Sequence, residues 1–268
     1  MAAPYSAEEL FQQLKATPKK VNIDGTTYYV IEGDLFLDET ELFAYTQQWV
    51  AWEQARSQGL QAQPERLLGI TDDAGRIVRW RKGLILTYTV ERNTFDSQQQ
   101  YDMVVAGMLQ ATSAWEAICG VNFKHLQDLD NGPNPGITQP IFRVAYKDSQ
   151  GSYIAIAFFP YHAPPRRVIY IDPTFFLPAT GYNQVGVLRH ELGHVLGFRH
   201  EQIRSEAPPF CPDEPLGMTI NLTKYDPRSV MHYFCGGVGS RELAITEVDQ
   251  EGARLVYGPP DREVTYYE

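Results

Sequence analysis

His190-Glu191-Leu192-Gly193-His194-Val195-Leu196-Gly197-Phe198-Arg199-His200-Glu201 is the stretch on which the reading of this 268-residue chain turns. It fits the pattern H-E-x-x-H-x-x-G-x-x-H. His190 and His194 stand one helical turn apart, with an axial rise of about 6 Å, so both imidazoles face the same way and can converge on one metal ion. Val185, Leu188, Leu192 and Val195 fall on other sides and can bury the helix. Gly197 suits a left-handed helix end, which a β-carbon disfavours. Beyond it the chain can turn back and deliver His200 as a third ligand. Three histidines leave the fourth position of a zinc ion open, the arrangement of a catalytic rather than a structural site. Glu191, next to the first ligand, is placed to take a proton from a zinc-activated water and pass it to a leaving amine. That is the chemistry of peptide-bond hydrolysis.

Composition narrows the setting. Lys plus Arg is 23 and Asp plus Glu is 33, giving a net charge of −10. An acidic chain is a poor partner for nucleic acid or an anionic membrane surface, and neither is expected. No apolar run approaches the ~20 residues of a membrane-spanning helix. The first twenty residues are polar and lack an apolar core, so no signal peptide is expected. Cysteines 119, 211 and 235 are too few for a disulfide scaffold, and their odd number leaves at least one unpaired within the chain.

Working outward, Ser6 and Glu9 form a capping box that opens a short helix. Residues 21–31 read as two strands around Asp24-Gly25. Asp38 and Glu41 open a second helix with Leu42, Tyr45, Trp49 and Trp52 along one face. Residues 57–79 lose this periodicity; with Gly59, Pro64, Gly69, Gly75, Arg66, Arg76 and Arg79 they read as a linker or an exposed processing segment. The chain is therefore expected to divide into 1–79 and 80–268. The second part opens with a strand over 84–90 and a long helix capped by Asp96 and closed by Gly120. Further strands are expected over 121–126, 141–146, 153–159 and 168–171. Asn183 caps the metal helix, and Thr246 caps a last helix over 247–257. His125, His162 and His232 have no ligand spacing of their own. Asp128-Leu129-Asp130-Asn131-Gly132 is a faint calcium-loop pattern without its later acidic ligand.

The long histidine motif, followed by Tyr225-Asp226-Pro227-Arg228-Ser229-Val230-Met231-His232-Tyr233, resembles the astacin family of metzincin zinc metalloproteases. Glu201 directly after the third histidine strengthens the resemblance. So do Trp80-Arg81-Lys82-Gly83-Leu84-Ile85 and Val248-Asp249-Gln250-Glu251-Gly252-Ala253-Arg254-Leu255-Val256-Tyr257-Gly258, which look like the family's opening and closing segments. The resemblance implies an α+β fold: a twisted, mostly parallel five-stranded sheet with two long helices above an irregular lower subdomain, with one Zn2+ in the cleft between. It implies that Met231 forms an apolar floor under the metal and that Tyr233 is a switchable fifth ligand that stabilises the oxyanion. It also implies that Glu201 anchors the N-terminus released by activation. Substrate would lie along an edge strand, for which 153–159 is the candidate. Arg241 is a candidate for lining a specificity pocket.

Upstream, Ile31-Glu32-Gly33-Asp34-Leu35 resembles the family's aspartate switch, with Ile in place of Phe. Asp34 is then an inhibitory fourth metal ligand in a latent form, joining His190, His194 and His200, and the chain is a zymogen activated by another protease or by itself. Arg66, Arg76 and Arg79 are the candidate cleavage points. Cys119 lacks the family's usual partner near residue 258. Cys211 and Cys235 could pair, or all three cysteines remain thiols. A monomer acting on protein or peptide substrates outside the cell is expected from the enzyme type. Two other readings stay open: a metzincin of narrow peptide specificity, and a permanently latent zinc-binding protein.

Overall fold

The computed structural model describes residues 5–261 apart from 18, 24, 58–67, 73, 205, 209–210 and 212–218. Asp24, Gly59, Pro64, Arg66 and the side chain of Trp52 lie outside the described part. The chain begins with helix α1 (Ala7–Lys15), whose Ser6–Glu9 capping box forms as expected. Strands β1 (Lys20–Ile23), β2 (Thr26–Ile31) and β3 (Leu35–Leu37) make a small antiparallel sheet in that order. Helix α2 (Glu39–Ser57) follows; at its start Glu41 N donates to the Asp38 carboxylate at 2.9 Å and Asp38 N donates to the Glu41 carboxylate at 3.0 Å.

Within 57–79, read as a linker or an exposed processing segment, residues 74–77 and Arg79 are exposed, but strand β4 (Leu68–Ile70) is buried and corrects that reading there. Its backbone bonds to the chain around Phe198: Ile70 N donates to Gly197 O at 2.9 Å, and Arg199 N donates to Leu68 O at 2.8 Å. A three-residue strand with Gly69 at its centre carries too little periodicity to be read from sequence.

The main sheet contains β5 (Ile85–Val90), β6 (Asn122–His125), β7 (Phe142–Tyr146), β8 (Ala155–Ile156) and β9 (Val168–Ile171), in the order β6-β5-β7-β9-β8. All pairings are parallel except that of β8, which runs antiparallel at one edge. This is the mostly parallel five-stranded sheet expected. The edge strand is shorter than expected, since only residues 155 and 156 of the 153–159 stretch pair. Helix α3 (Gln98–Glu116) is capped by Ser97, whose hydroxyl accepts from Gln100 N, rather than by Asp96. Asp96 instead accepts a hydrogen bond from the Tyr146 hydroxyl. Helix α4 (Gln184–Val195) is capped by Asn183 as expected. Strand β10 (Thr219–Asn221) pairs with β4, and α5 (Glu247–Tyr257) opens on Thr246 with Asp249 completing a capping box.

The principal core lies between α3, α4, α5 and the main sheet. Every member of this cluster falls between Trp80 and Tyr257, so residues from 80 onward close a core of their own. The small N-terminal sheet leans on the β8 edge, where Val21, Tyr28, Val30 and Phe36 pack with Tyr153 and Ile156.

Helix α4 is pressed against backbone. A Cβ on Gly186 would run into Glu242 O, and Arg189 donates to the carbonyls of Leu243 and Glu242 at 3.0 and 2.8 Å. Gly186→Ala must push the 242–243 segment away, and a loss of about 1–3 kcal/mol is expected. Thermal unfolding of the variant should fall by several degrees; an unchanged midpoint would show that the contact yields freely.

Candidate metal centre

The end of α4 sets the site. Gly197 takes φ +92°, Gly197 N donates to His194 O, and Phe198 N donates to Gly193 O, both at 2.9 Å. These two bonds are a Schellman motif, which turns the chain sharply after the second histidine. The next carbonyls are held from both ends of the 80–257 core. Trp80 Nε1 donates to Val195 O at 2.7 Å, and the Tyr257 hydroxyl donates to Leu196 O at 2.7 Å. The turn thereby returns His200 to the face that carries His190 and His194.

The three rings are fully buried, and Asp34 comes from the other side to meet them. Asp34 Oδ2 lies 3.0, 3.3 and 3.2 Å from Nε2 of His190, His194 and His200. Two of these rings reveal their protonation. His190 Nδ1 is 2.7 Å from Val230 O, and His194 Nδ1 is 2.8 Å from Phe198 O. A carbonyl can only accept, so each Nδ1 carries the proton and each Nε2 presents a lone pair in the neutral ring. Burial holds the His194 imidazole down at about 4, which keeps it neutral at ordinary pH. Lone pairs and a carboxylate therefore converge on one point, with His194 and His200 Nε2 3.2 Å apart. Such a cluster is repulsive unless a cation sits within it. The spacings match the edge of a tetrahedron with arms of 2.0–2.1 Å, about 3.3 Å, which is the size of a zinc site with nitrogen and oxygen ligands. The residues fit the metal they were expected to hold.

Glu191 lies beside this cluster, 1% exposed, with Oε2 lacking a hydrogen-bond partner. Burial, helped by the charge of Asp34, pushes its carboxyl well above the usual range. The Tyr233 ring stacks on His190 at 4.8 Å between centroids, and its hydroxyl donates a short hydrogen bond to Asp34 Oδ2. Burial, reinforced by Asp34, also raises that phenol well above its ordinary value. Met231 is fully buried under α4, against Gly193. The turn that holds it is tied to α5 by Asp249, which accepts from Ser229 Oγ at 2.5 Å and from Val230 N at 2.9 Å. Glu201 is buried; its Oε1 takes Asp226 N at 3.0 Å and Arg204 Nε at 2.9 Å. Burial raises its carboxyl to about 8.

Cys211 and Cys235 form a disulfide, and Cys119 remains a buried thiol that burial pushes up to about 12. His125 pairs with Asp130, and Asp130 binds Thr89, Val90 and Tyr101, so the faint calcium pattern is spent on structure. His232 donates to Tyr233 O at 2.6 Å and accepts from the Tyr225 hydroxyl at 2.8 Å. A cavity of about 350 Å³ opens beside His190 and Glu191, walled by Tyr182, Val187 and Leu243. Arg241 stands behind that wall, over the rings of Tyr182 and Phe234, rather than lining it.

Sequence reading missed the groups that hold residues 32–41 in place. Glu32 pairs with Arg199, and both were visible only as unassigned positions inside the two motifs. Arg166 meets Glu41 in a short ion pair, reaches Phe36 O at 3.1 Å and lies 3.8 Å from Asp38 Oδ2. His162 Nδ1 accepts from Phe159 N, so its Nε2–H faces Glu41 Oε1 at 3.6 Å. No sequence signal joins residues more than a hundred positions apart, although opposite charge was there to be matched.

The fold and the site together define an α+β protein with a buried three-histidine, one-carboxylate centre suited to zinc. No family model and no curated protein matches the chain. Solved structures that it resembles include two of myroilysin. One has 13% identity and a TM-score of 0.49, covering 71% of this chain and 98% of that one; the other has 15% and 0.44, covering 67% and 85%. A third is high choriolytic enzyme 1, a hatching enzyme zinc-protease from Oryzias latipes (medaka fish), with 17% identity and a TM-score of 0.42, covering 70% of this chain and 93% of that one.

Two tests follow from the centre and its clamp. Zinc should bind at one ion per chain and raise the unfolding temperature as its free concentration rises, and His194→Ala should abolish both effects. For Glu41, burial would raise the carboxyl, but the facing His162 N–H, the Arg166 guanidinium and the Asp38 backbone N–H outweigh it and hold it at about 2 against an ordinary 4.5. A depressed carboxyl stabilises the fold above its unfolded value and loses that contribution as pH falls through the folded one. The difference in urea midpoint between the parent and Glu41→Gln should be steady above about pH 5 and shrink as pH falls toward 2. A difference that stays constant across that range would remove Glu41 from the clamp.

Proposed function

We propose that this chain is a zinc-dependent endopeptidase in latent form, with residues 1–79 as an inhibitory pro-segment and 80–268 as the catalytic part. The observation that carries the reading is the approach of Asp34 Oδ2 to within 3.0–3.3 Å of all three histidine Nε2 atoms. A carboxylate in that place fills the position at which water would otherwise react. Zinc bound there supplies a Lewis acid that polarises a carbonyl and lowers the pKa of water to roughly 7.

The protein's own groups do the rest. Glu191, buried with an unpartnered oxygen, takes the proton of the attacking water and returns it to the leaving nitrogen. The hydroxyl of Tyr233, freed from Asp34, donates to the oxygen that gains charge. The cavity beside His190 and Glu191 receives a side chain next to the bond that is cut. The backbone at the antiparallel β8 edge offers hydrogen bonds to an extended peptide once the segment leaning on it leaves. Substrates are proteins or peptides. Activation cuts the chain between the clamp and Trp80; Arg79 and Arg76 are exposed, the latter with 81% of its side chain accessible. A place of action outside the cell accords with the Cys211–Cys235 disulfide.

The test uses the full chain, assayed with a casein-type substrate before and after limited trypsin treatment. Activity should appear only after trimming and require zinc. Glu191→Gln should lower the trimmed enzyme's kcat by about 10²–10⁴-fold, and Tyr233→Phe by about 10²–10³-fold. Asp34→Ala should give the untrimmed chain activity above the parent's. Zinc binding with no activity in any of these forms would favour the permanently latent zinc-binding protein, and no zinc binding would overturn the reading.

A further inference from the structure

Glu32 is one of three non-glycine residues with positive φ among those described, at +59°. A left-handed glutamate is disfavoured, and it persists only where its surroundings reward it. Here its buried carboxylate meets a single guanidinium nitrogen: Oε1 and Oε2 lie 3.0 and 2.8 Å from Arg199 Nη2. Arg199 belongs to the body, and its surroundings are shown with the segment in place. It sits between Gly197 and His200 in the metal-binding turn, its N–H donates to Leu68 O, and only 12% of its side chain is exposed.

The pair lies on a particular side of Asp34. The cavity beside His190 and Glu191 touches Gly33, whereas Arg199 lies with Phe159 and Tyr161 on the other side, where the N-terminal part, through Leu35 and Ile70 among others, closes a second cavity of about 370 Å³ over them. Arg166 extends the positive charge on that side, where it meets Asp38 and Glu41. In a chain of net charge −10, the segment that crosses the metal centre thus meets two arginines with three carboxylates.

We propose that Arg199 is a specificity-determining residue: when residues 31–35 leave the cleft, it receives the carboxylate of an Asp or Glu of the peptide substrate, on the Phe159–Tyr161 side of the bond that is cut. Glu32 holds that place in the latent chain. This rests on the endopeptidase reading above. The guanidinium nitrogen that Glu32 vacates favours a new carboxylate over a neutral group, because an ionised acceptor makes the stronger, charge-assisted hydrogen bond.

The experiment uses the full chain loaded with zinc and trimmed by trypsin, whose 80–257 core is self-contained. Peptides of eight residues carry Glu, Gln or Lys in turn at each position around one cleavable bond. At one position Glu should exceed Gln by about tenfold or more in kcat/KM, expressed in KM. Arg199→Gln should bring that ratio near one, Arg199→Lys should keep part of it, and Arg199→Glu should turn the preference to Lys. The comparison of Glu with Gln peptides on the parent enzyme needs no variant and stands even if a variant fails to fold. Cleavage with no advantage for Glu at any position, or an advantage that survives Arg199→Gln, overturns the proposal while leaving the protease reading intact. Binding of the same peptides to trimmed Glu191→Gln, followed by fluorescence anisotropy, separates the two ideas. Tighter binding of the Glu peptide that depends on Arg199 supports the proposal even where nothing is cleaved. Equal affinity, or no binding, overturns it.

Discussion

Everything in this molecule is arranged around a convergence that would be unfavourable by itself. Nitrogen lone pairs and a carboxylate oxygen are brought within about 3.3 Å of one another in a buried place. Two backbone carbonyls, Val230 O and Phe198 O, take the imidazole protons and so decide which ring atom faces inward. The scaffold must hold this geometry with and against its electrostatics, and it does so with rigid parts. A Schellman turn reverses the chain after His194, Trp80 and Tyr257 secure the next two carbonyls, and Asp249 fixes the loop that carries Met231. The residues that secure the turn come from opposite ends of the 80–257 core, so the precision of the centre depends on that core being closed.

Much of this was legible in the sequence. The His190–His200 spacing brings the three histidines together because it reflects helical geometry and one left-handed glycine, both local. The caps at Ser6, Asn183 and Thr246 are local too, and each forms where expected. What escaped is long-range or short in extent. The cap of α3 moved by one residue, to Ser97, because Asp96 has a better use in binding Tyr146. Strand β4 is three residues long and exists through its partners, Asn221 to Thr219 on one side and the 197–199 backbone on the other. The pairs Glu32–Arg199 and Glu41–Arg166 join positions whose proximity only the fold creates.

The N-terminal part and the body are joined by unlike contacts. Carboxylate-to-histidine contact at Asp34 is buried and directional. Ion pairs at Glu32 and Glu41 flank it on charged ground, and the small sheet adds an apolar contact against Tyr153 and Ile156. The apolar contact is tolerant of composition, while the flanking pairs fix register. A one-residue slip along β3 would bring Gly33 or Leu35 to the histidines, neither of which has a side-chain ligand.

Strand β4 gives the tether between these parts an unusual property. It is bonded on both sides of Phe198, so the N-terminal part and the turn that bears His200 belong to one continuous hydrogen-bonded fabric. On the latent reading proposed above, Asp34 is an intramolecular partner of the histidines while the chain is whole, at an effective concentration that its connection to the body sets. Cutting a peptide bond does not by itself remove it; it converts an intramolecular partner into a ligand that must dissociate. On that same reading dilution becomes part of activation: severed molecules stay closed where they are crowded and open where they spread.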